Sequence, residues 1–148
     1  MPAPSRPVPW VVGFWGGEAS SRHFPLPQWL VRPGWRLDER DRIAAYLKSG
    51  KACLVCCGRA RCRFDGCGIV LGSADLTDGR WLWPAKLEHY ILEHDVCLPD
   101  EFVDDMRAAG WQVPADLDGD AVGLQMEIAG RNWEPTFWRA WGERMRPA

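Results

Sequence analysis

The sequence predicts an α+β fold, a small mixed sheet with three to four helices. Three observations predict it. Apolar residues recur at helical spacing in four segments, with short strand-like runs between them. Ten tryptophans give a chain of 148 residues the material for a dense aromatic core, since each ring offers roughly 150–250 Å² to bury. No linker is long enough to split the chain, so residues 10–148 are expected to form a single α+β domain, preceded by a flexible, proline-rich arm at 1–9.

The elements follow in order. Trp10–Trp15 predicts a short strand stopped by Gly16 and Gly17, and residues 18–36, with Pro25, Pro27 and Pro33, a loop. Asp38–Ser49 predicts the first helix, capped by Asp38, with Ile43, Tyr46 and Leu47 on one face and Gly50 as its stop. Lys51–Cys57 predicts a strand, and residues 69–83 a hairpin turning at Thr77-Asp78-Gly79. A helix is expected from Pro84 to Glu93 or His94 and another from Asp100 to Gly110, the latter favoured by acidic residues in its first turn. Val122–Ile128 predicts a strand, and Pro135–Arg144 a last helix presenting Phe137, Trp138 and Trp141.

Charge and composition exclude several classes. The net charge is −2, divided unevenly: residues 1–63 hold 11 Lys/Arg and 4 Asp/Glu (net +7), residues 64–148 hold 7 and 16 (net −9). Two halves of opposite sign are expected to pack against each other. No apolar run is long enough to span a bilayer, and the N-terminus lacks a secretory core, so a cytoplasmic protein is expected.

Five of the six cysteines fall between Cys53 and Cys67. Without a secretory signal, such clustering points to metal ligands or free thiols before disulfides. Cys62 and Cys67 are spaced C-x4-C, and His89 and His94 H-x4-H. A close cysteine pair on a turn followed by a histidine pair at a helix end can supply the four N/S corners that zinc prefers. Positions five apart on a straight helix point about 140° away from each other, so the helix is expected to tighten or end between the histidines. The bland alternative is free thiols and locally hydrogen-bonded imidazoles. Asp65, Cys53, Cys56 and Cys97 remain open as substitute ligands, although Cys56 or Cys57 on a strand is more commonly a small core residue.

The stretch Cys62–Val103 resembles a group of small uncharacterised bacterial proteins with a zinc-ribbon-like centre. The motif string of that group runs C-x2-C-G, GS, LTDG, W-x-WP, L-x-HY, H and LP-x-EF. Matching positions here are Cys62, Cys67-Gly68, Gly72-Ser73, Leu76–Gly79, Trp81, Trp83-Pro84, Leu87, His89-Tyr90, His94 and Leu98-Pro99. Pro9–Trp15 and Asp38–Gly50 are similar as well. The chain departs at the first pair, where Asp65-Gly66 is inserted, which leaves Cys67 as the second cysteine. The resemblance implies a structural zinc site and supplies no activity.

Two thiolates and two imidazoles close a zinc shell, whereas a catalytic zinc keeps a position open for water. The sequence therefore points to a small zinc-binding protein with a zinc-stapled turn–hairpin–helix centre. Its role would be non-enzymatic: an adaptor or a partner-neutralising, immunity-like protein acting on an unknown protein partner. The rival is a metal-dependent hydrolase using His89, His94 and one cysteine, with Glu88 or Glu93 as base. A nucleic-acid-binding module would use Lys51, Arg59, Arg61 and Arg63 beside Phe64, but the acidic half would repel phosphate. Asp116, Asp118, Asp120 and Glu127 fall at calcium-loop positions, yet Ala121 stands where that loop demands glycine. Cys56-Cys57 beside Arg59 could be a reactive thiol pair. The usual ATP, dinucleotide and serine-hydrolase motifs do not occur.

Overall fold

In the computed structural model, which describes residues 6–17, 23–55, 60–128 and 134–148, four short strands make one mixed sheet. They are β1 (Trp10–Val11), β2 (Lys51–Val55), β3 (Ala74–Thr77) and β4 (Trp81–Pro84), in the spatial order β1-β4-β3-β2. β1 runs parallel to β4 and is shorter than expected; the other pairs are antiparallel. β3 and β4 form the predicted hairpin, with Leu76 opposite Trp83. Gly79 sits at φ 94°, which its lack of a Cβ permits. Thr77 Oγ1 accepts the Gly79 N–H at 2.9 Å and donates to the Trp81 carbonyl at 2.7 Å.

Among the described residues there are five α-helices: α1 (Arg40–Lys48), α2 (Leu87–His94), α3 (Asp100–Ala108), α4 (Gly119–Ile128) and α5 (Thr136–Arg144). A 3-10 turn at Pro27–Leu30 precedes them. Four of the helices stand where the apolar spacing placed them, with two corrections at their starts. α2 begins at Leu87 rather than Pro84, because Pro84 closes β4 and Lys86, at φ 64°, turns the chain before the helix. No side chain caps α1; Asp38 lies before its start, and the neighbouring Glu39 is held by Arg36 at 2.9 Å and Arg107 at 2.7 Å.

The fifth helix, α4, corrects the strand expected at Val122–Ile128. Asp118 Oδ1 accepts the N–H groups of Asp120 at 3.0 Å and Ala121 at 3.3 Å, an N-terminal cap. Val122 and Met126, four apart, are both buried. The helix packs against β2, the outer strand of the sheet. Only glycine fits at 119: a Cβ there would run into the Ala52 carbonyl oxygen. The calcium-loop spacing gathers no ligand cluster among the described residues either: Asp118 is the cap and Glu127 is exposed on the helix.

Tryptophan builds the core, as the composition predicts. Trp81, Trp83 and Trp138 are fully buried, and each indole N–H is satisfied: to Asp105 at 2.8 Å, to the Leu47 carbonyl at 3.1 Å and to the Phe14 carbonyl at 2.7 Å. Residues 6–9 of the proline-rich stretch dock on this core. Val8 is buried, and the Arg6 guanidinium lies 3.7 Å from the Trp10 ring centroid and 4.5 Å from that of Trp81. Residues 1–5 lie outside the described residues. The basic and acidic halves meet in ion pairs, among them Arg36–Asp100 at 2.8 Å and Arg40–Asp95 at 2.7 Å. Among the described residues no helix is long and apolar enough to cross a membrane.

Candidate metal centre

Two elements meet at the centre. The first is a tight turn over residues 60–71. Its arms pair at Arg61 and Val70, the Cys62 N–H donates to the Ile69 carbonyl at 3.0 Å, and the Leu71 N–H donates to the Ala60 carbonyl at 2.7 Å. The Cys67 N–H folds back onto the Phe64 carbonyl at 3.2 Å, and Gly66 and Gly68, both at positive φ, allow the reversal. The second element is α2, which carries His89 in its first half and His94 as its last residue. Asp95, at φ 55°, stops the helix there, and the Val96 N–H closes back on the Tyr90 carbonyl at 3.2 Å.

The turn and the helix bring four donors together. One atom each from Cys62, Cys67, His89 and His94 all lie within 4.8 Å of one another. Cys62 Sγ is 3.3 Å from His94 Nε2, and Cys67 Sγ is 3.4 Å from His89 Nε2. Tetrahedral zinc with sulfur at about 2.3 Å and nitrogen at about 2.0–2.1 Å would set its ligand atoms about 3.3–3.8 Å apart. The donor set therefore fits a four-coordinate ion with little rearrangement. Contrary to expectation, α2 does not break between the histidines. It runs through His94, and the reach of the two imidazoles compensates for their angular offset; the rings lie 5.1 Å apart and nearly perpendicular, at 77°.

Aromatic side chains pack around the four residues. Phe64 stacks flat on His94, with centroids 4.1 Å apart and planes 8° apart. Tyr90 accepts the Arg63 N–H at 3.0 Å and packs edge-on against Trp15. Sequence reasoning read Phe64 only as part of a basic patch, so it missed this support. The adjacency of Phe64 to Cys62 and of Tyr90 to His89 was the available signal. The basic patch is partly consumed by the fold, since the Arg63 guanidinium donates to the Gly16 carbonyl at 2.9 Å. Arg59 lies outside the described residues.

Electrostatics favour the neutral forms of Cys62 and His89. Burial pushes the Cys62 thiol up, and Cys67 beside it pushes the same way. Burial holds His89 below its ordinary value, with His94 adding to the effect. A bound dication would reverse the preference at sulfur, and neutral imidazole is the form that binds metal.

The other candidates lie elsewhere. Cys53 sits in β2 with its thiol on the Asp75 carbonyl at 3.6 Å, and Cys97 is buried beyond α2. Neither joins the cluster, and Cys56 and Cys57 lie outside the described residues. Asp65, Ile69 and Glu93 rim an open hollow whose floor includes Cys67, His89 and His94. Glu88 is buried, and its Oε2 has no hydrogen-bond partner among the described residues. In comparisons with protein-family models, curated proteins and solved structures, no match to the chain is found.

Proposed function

We propose that the centre is a structural zinc site, Cys62–Cys67–His89–His94, in a non-enzymatic cytoplasmic adaptor or partner-neutralising protein. The convergence of two sulfurs and two nitrogens within 4.8 Å carries this reading. Such a set matches zinc in softness and number, and two thiolates with two neutral imidazoles balance its charge and close its shell. Zinc would tie the 60–71 turn to α2 and so fix the orientation of a surface turn that carries two exposed apolar residues, Ile69 and Val70. A protein partner docking there would read a shape that the metal maintains. The resemblance to small bacterial proteins with a zinc-ribbon-like centre agrees with this role.

Elemental analysis of the purified protein, with thermal melting before and after a strong chelator, tests the site. About one zinc per chain and a large loss of stability on chelation support it; no metal and unchanged melting refute it. X-ray absorption at the zinc edge tests the closed shell. Two sulfurs at about 2.3 Å and two nitrogens at about 2.0–2.1 Å are expected. An added water oxygen in place of one protein ligand would favour a hydrolase instead, with Glu93 at the rim of the hollow or buried Glu88 as base.

A further inference from the structure

We propose that Cys62 and Cys67 form a peroxide-sensitive dithiol whose closure to a disulfide expels the metal, so that metal-bound and disulfide states exclude each other. The metal-release half rests on the zinc reading above; the disulfide half rests on the geometry of the turn. The two sulfurs lie within 4.8 Å of each other. A tetrahedral zinc would hold them about 3.8 Å apart, and a disulfide needs about 2.05 Å. The approach therefore requires a small tightening of one turn.

The turn has room to make it. Both glycines that flank Cys67 adopt positive φ, and a Cβ at either would meet nothing within 4 Å, so no packed neighbour opposes the movement. Access is open as well, because all four ligand residues are partly exposed and Cys67 lines the hollow beside Asp65 and Ile69. The thiols elsewhere among the described residues are poorly placed to compete. Cys53 belongs to β2 and Cys97 is 4% exposed, and neither lies in the cluster.

The chemistry balances with a hydroperoxide as the oxidant. One thiolate attacks the peroxide oxygen, which breaks the O–O bond and leaves a sulfenic acid. The second sulfur displaces the hydroxyl to form the S–S bond. With hydrogen peroxide, two thiols give one disulfide and two waters; the sulfurs lose two electrons and the peroxide gains them. A disulfide sulfur carries no thiolate charge for zinc, and two neutral imidazoles alone form half a shell. Oxidation would thus untie the 60–71 turn from α2 and reduction would restore the tie.

The test uses the full chain in two arms. The first measures zinc in the reduced protein. The second titrates hydrogen peroxide and follows zinc release with a chromogenic chelator, free thiols by titration and the cross-link by peptide mass mapping. Zinc released in step with the loss of two thiols, a mass decrease of about 2 Da in a Cys62–Cys67 linked peptide, and recovery with dithiothreitol are expected. Cys53→Ser, which leaves the cluster untouched, should respond identically. Zinc retained while other thiols oxidise, a cross-link through Cys53 or Cys97, or direct conversion to sulfinic acid would overturn the proposal. A chain without zinc in the first arm fails the metal reading, and the peptide map then decides the disulfide alone.

Discussion

Replacing Cys67 with alanine should separate the metal tie from ordinary packing. Cys62 packs against the buried cluster, whereas Cys67 stands on the outer turn between Gly66 and Gly68. Alanine at 67 therefore removes a ligand with little loss of core. The tie it breaks joins Cys67 to His89, 22 positions along the chain. Treated as a cross-link that restricts the unfolded chain, closure of a loop of that length contributes about 3.4 kcal/mol. For a chain of this size, each kcal/mol moves the melting temperature by about 2–4 °C, so a fall of about 7–14 °C is expected. The assay is calorimetry of wild type and Cys67→Ala at buffered free zinc, repeated in excess chelator. In zinc the two should differ by that amount, and in chelator they should coincide, because the metal is the main difference between them. A variant melting within about 2 °C of a zinc-loaded wild type would refute the tie, since that corresponds to at most about 1 kcal/mol. An equal gap in zinc and in chelator would assign the loss to packing.

Three further predictions concern the frame around the centre. Burial raises the Asp75 carboxyl from 3.8 to about 6, so the native state takes up its proton first; stability present below pH 3.8 is lost as pH rises through 6. Asp75→Asn should therefore be more stable than wild type at pH 7, by about 1–2 kcal/mol after solvent screening, with the gap closing below pH 4 in denaturant titrations. Tyr46→Phe removes the 2.6 Å hydrogen bond that the buried phenol donates to buried Asp78, and urea unfolding should show a loss of about 1.5–3 kcal/mol. Gly142→Ala reverses the usual helix preference: a Cβ would lie 2.6 Å from Pro25 Cδ, so thermal melting should show a loss of about 1–3 kcal/mol where an exposed helical site would gain about 1.

Much of the site was legible because its signals are local. The spacing of Cys62 and Cys67, then His89 and His94, names the four clustered residues without reference to the fold, and α2 ends at His94, within the expected bounds, where Asp95 turns left-handed. The hairpin was legible because the Thr77 and Asp78 side chains satisfy the backbone of Gly79, Arg80 and Trp81, all within four residues. What escaped depends on distant neighbours. α4 looked like a strand because Gly119, Gly123 and two β-branched residues lower its helix propensity. The cap from Asp118 and packing on β2 override that preference. The burial of Glu88 and the stacking of Phe64 on His94 arise where separate segments meet, and no periodicity in either segment encodes them.

The contact of α4 with β2 bears on self-association. Among the described residues β2 ends the sheet, with β3 on one side only, and its sequence Lys51–Val55 leads directly into Cys56 and Cys57. An outer strand with unpaired backbone groups is a template for pairing with another chain. Here a helix lies against it, seated close to the strand by the absence of a side chain at Gly119. Gly119 thus seats the start of α4 on this strand. A larger residue there would lift the start of α4 from β2, and the first symptom would be concentration-dependent aggregation, ahead of any change at the metal centre.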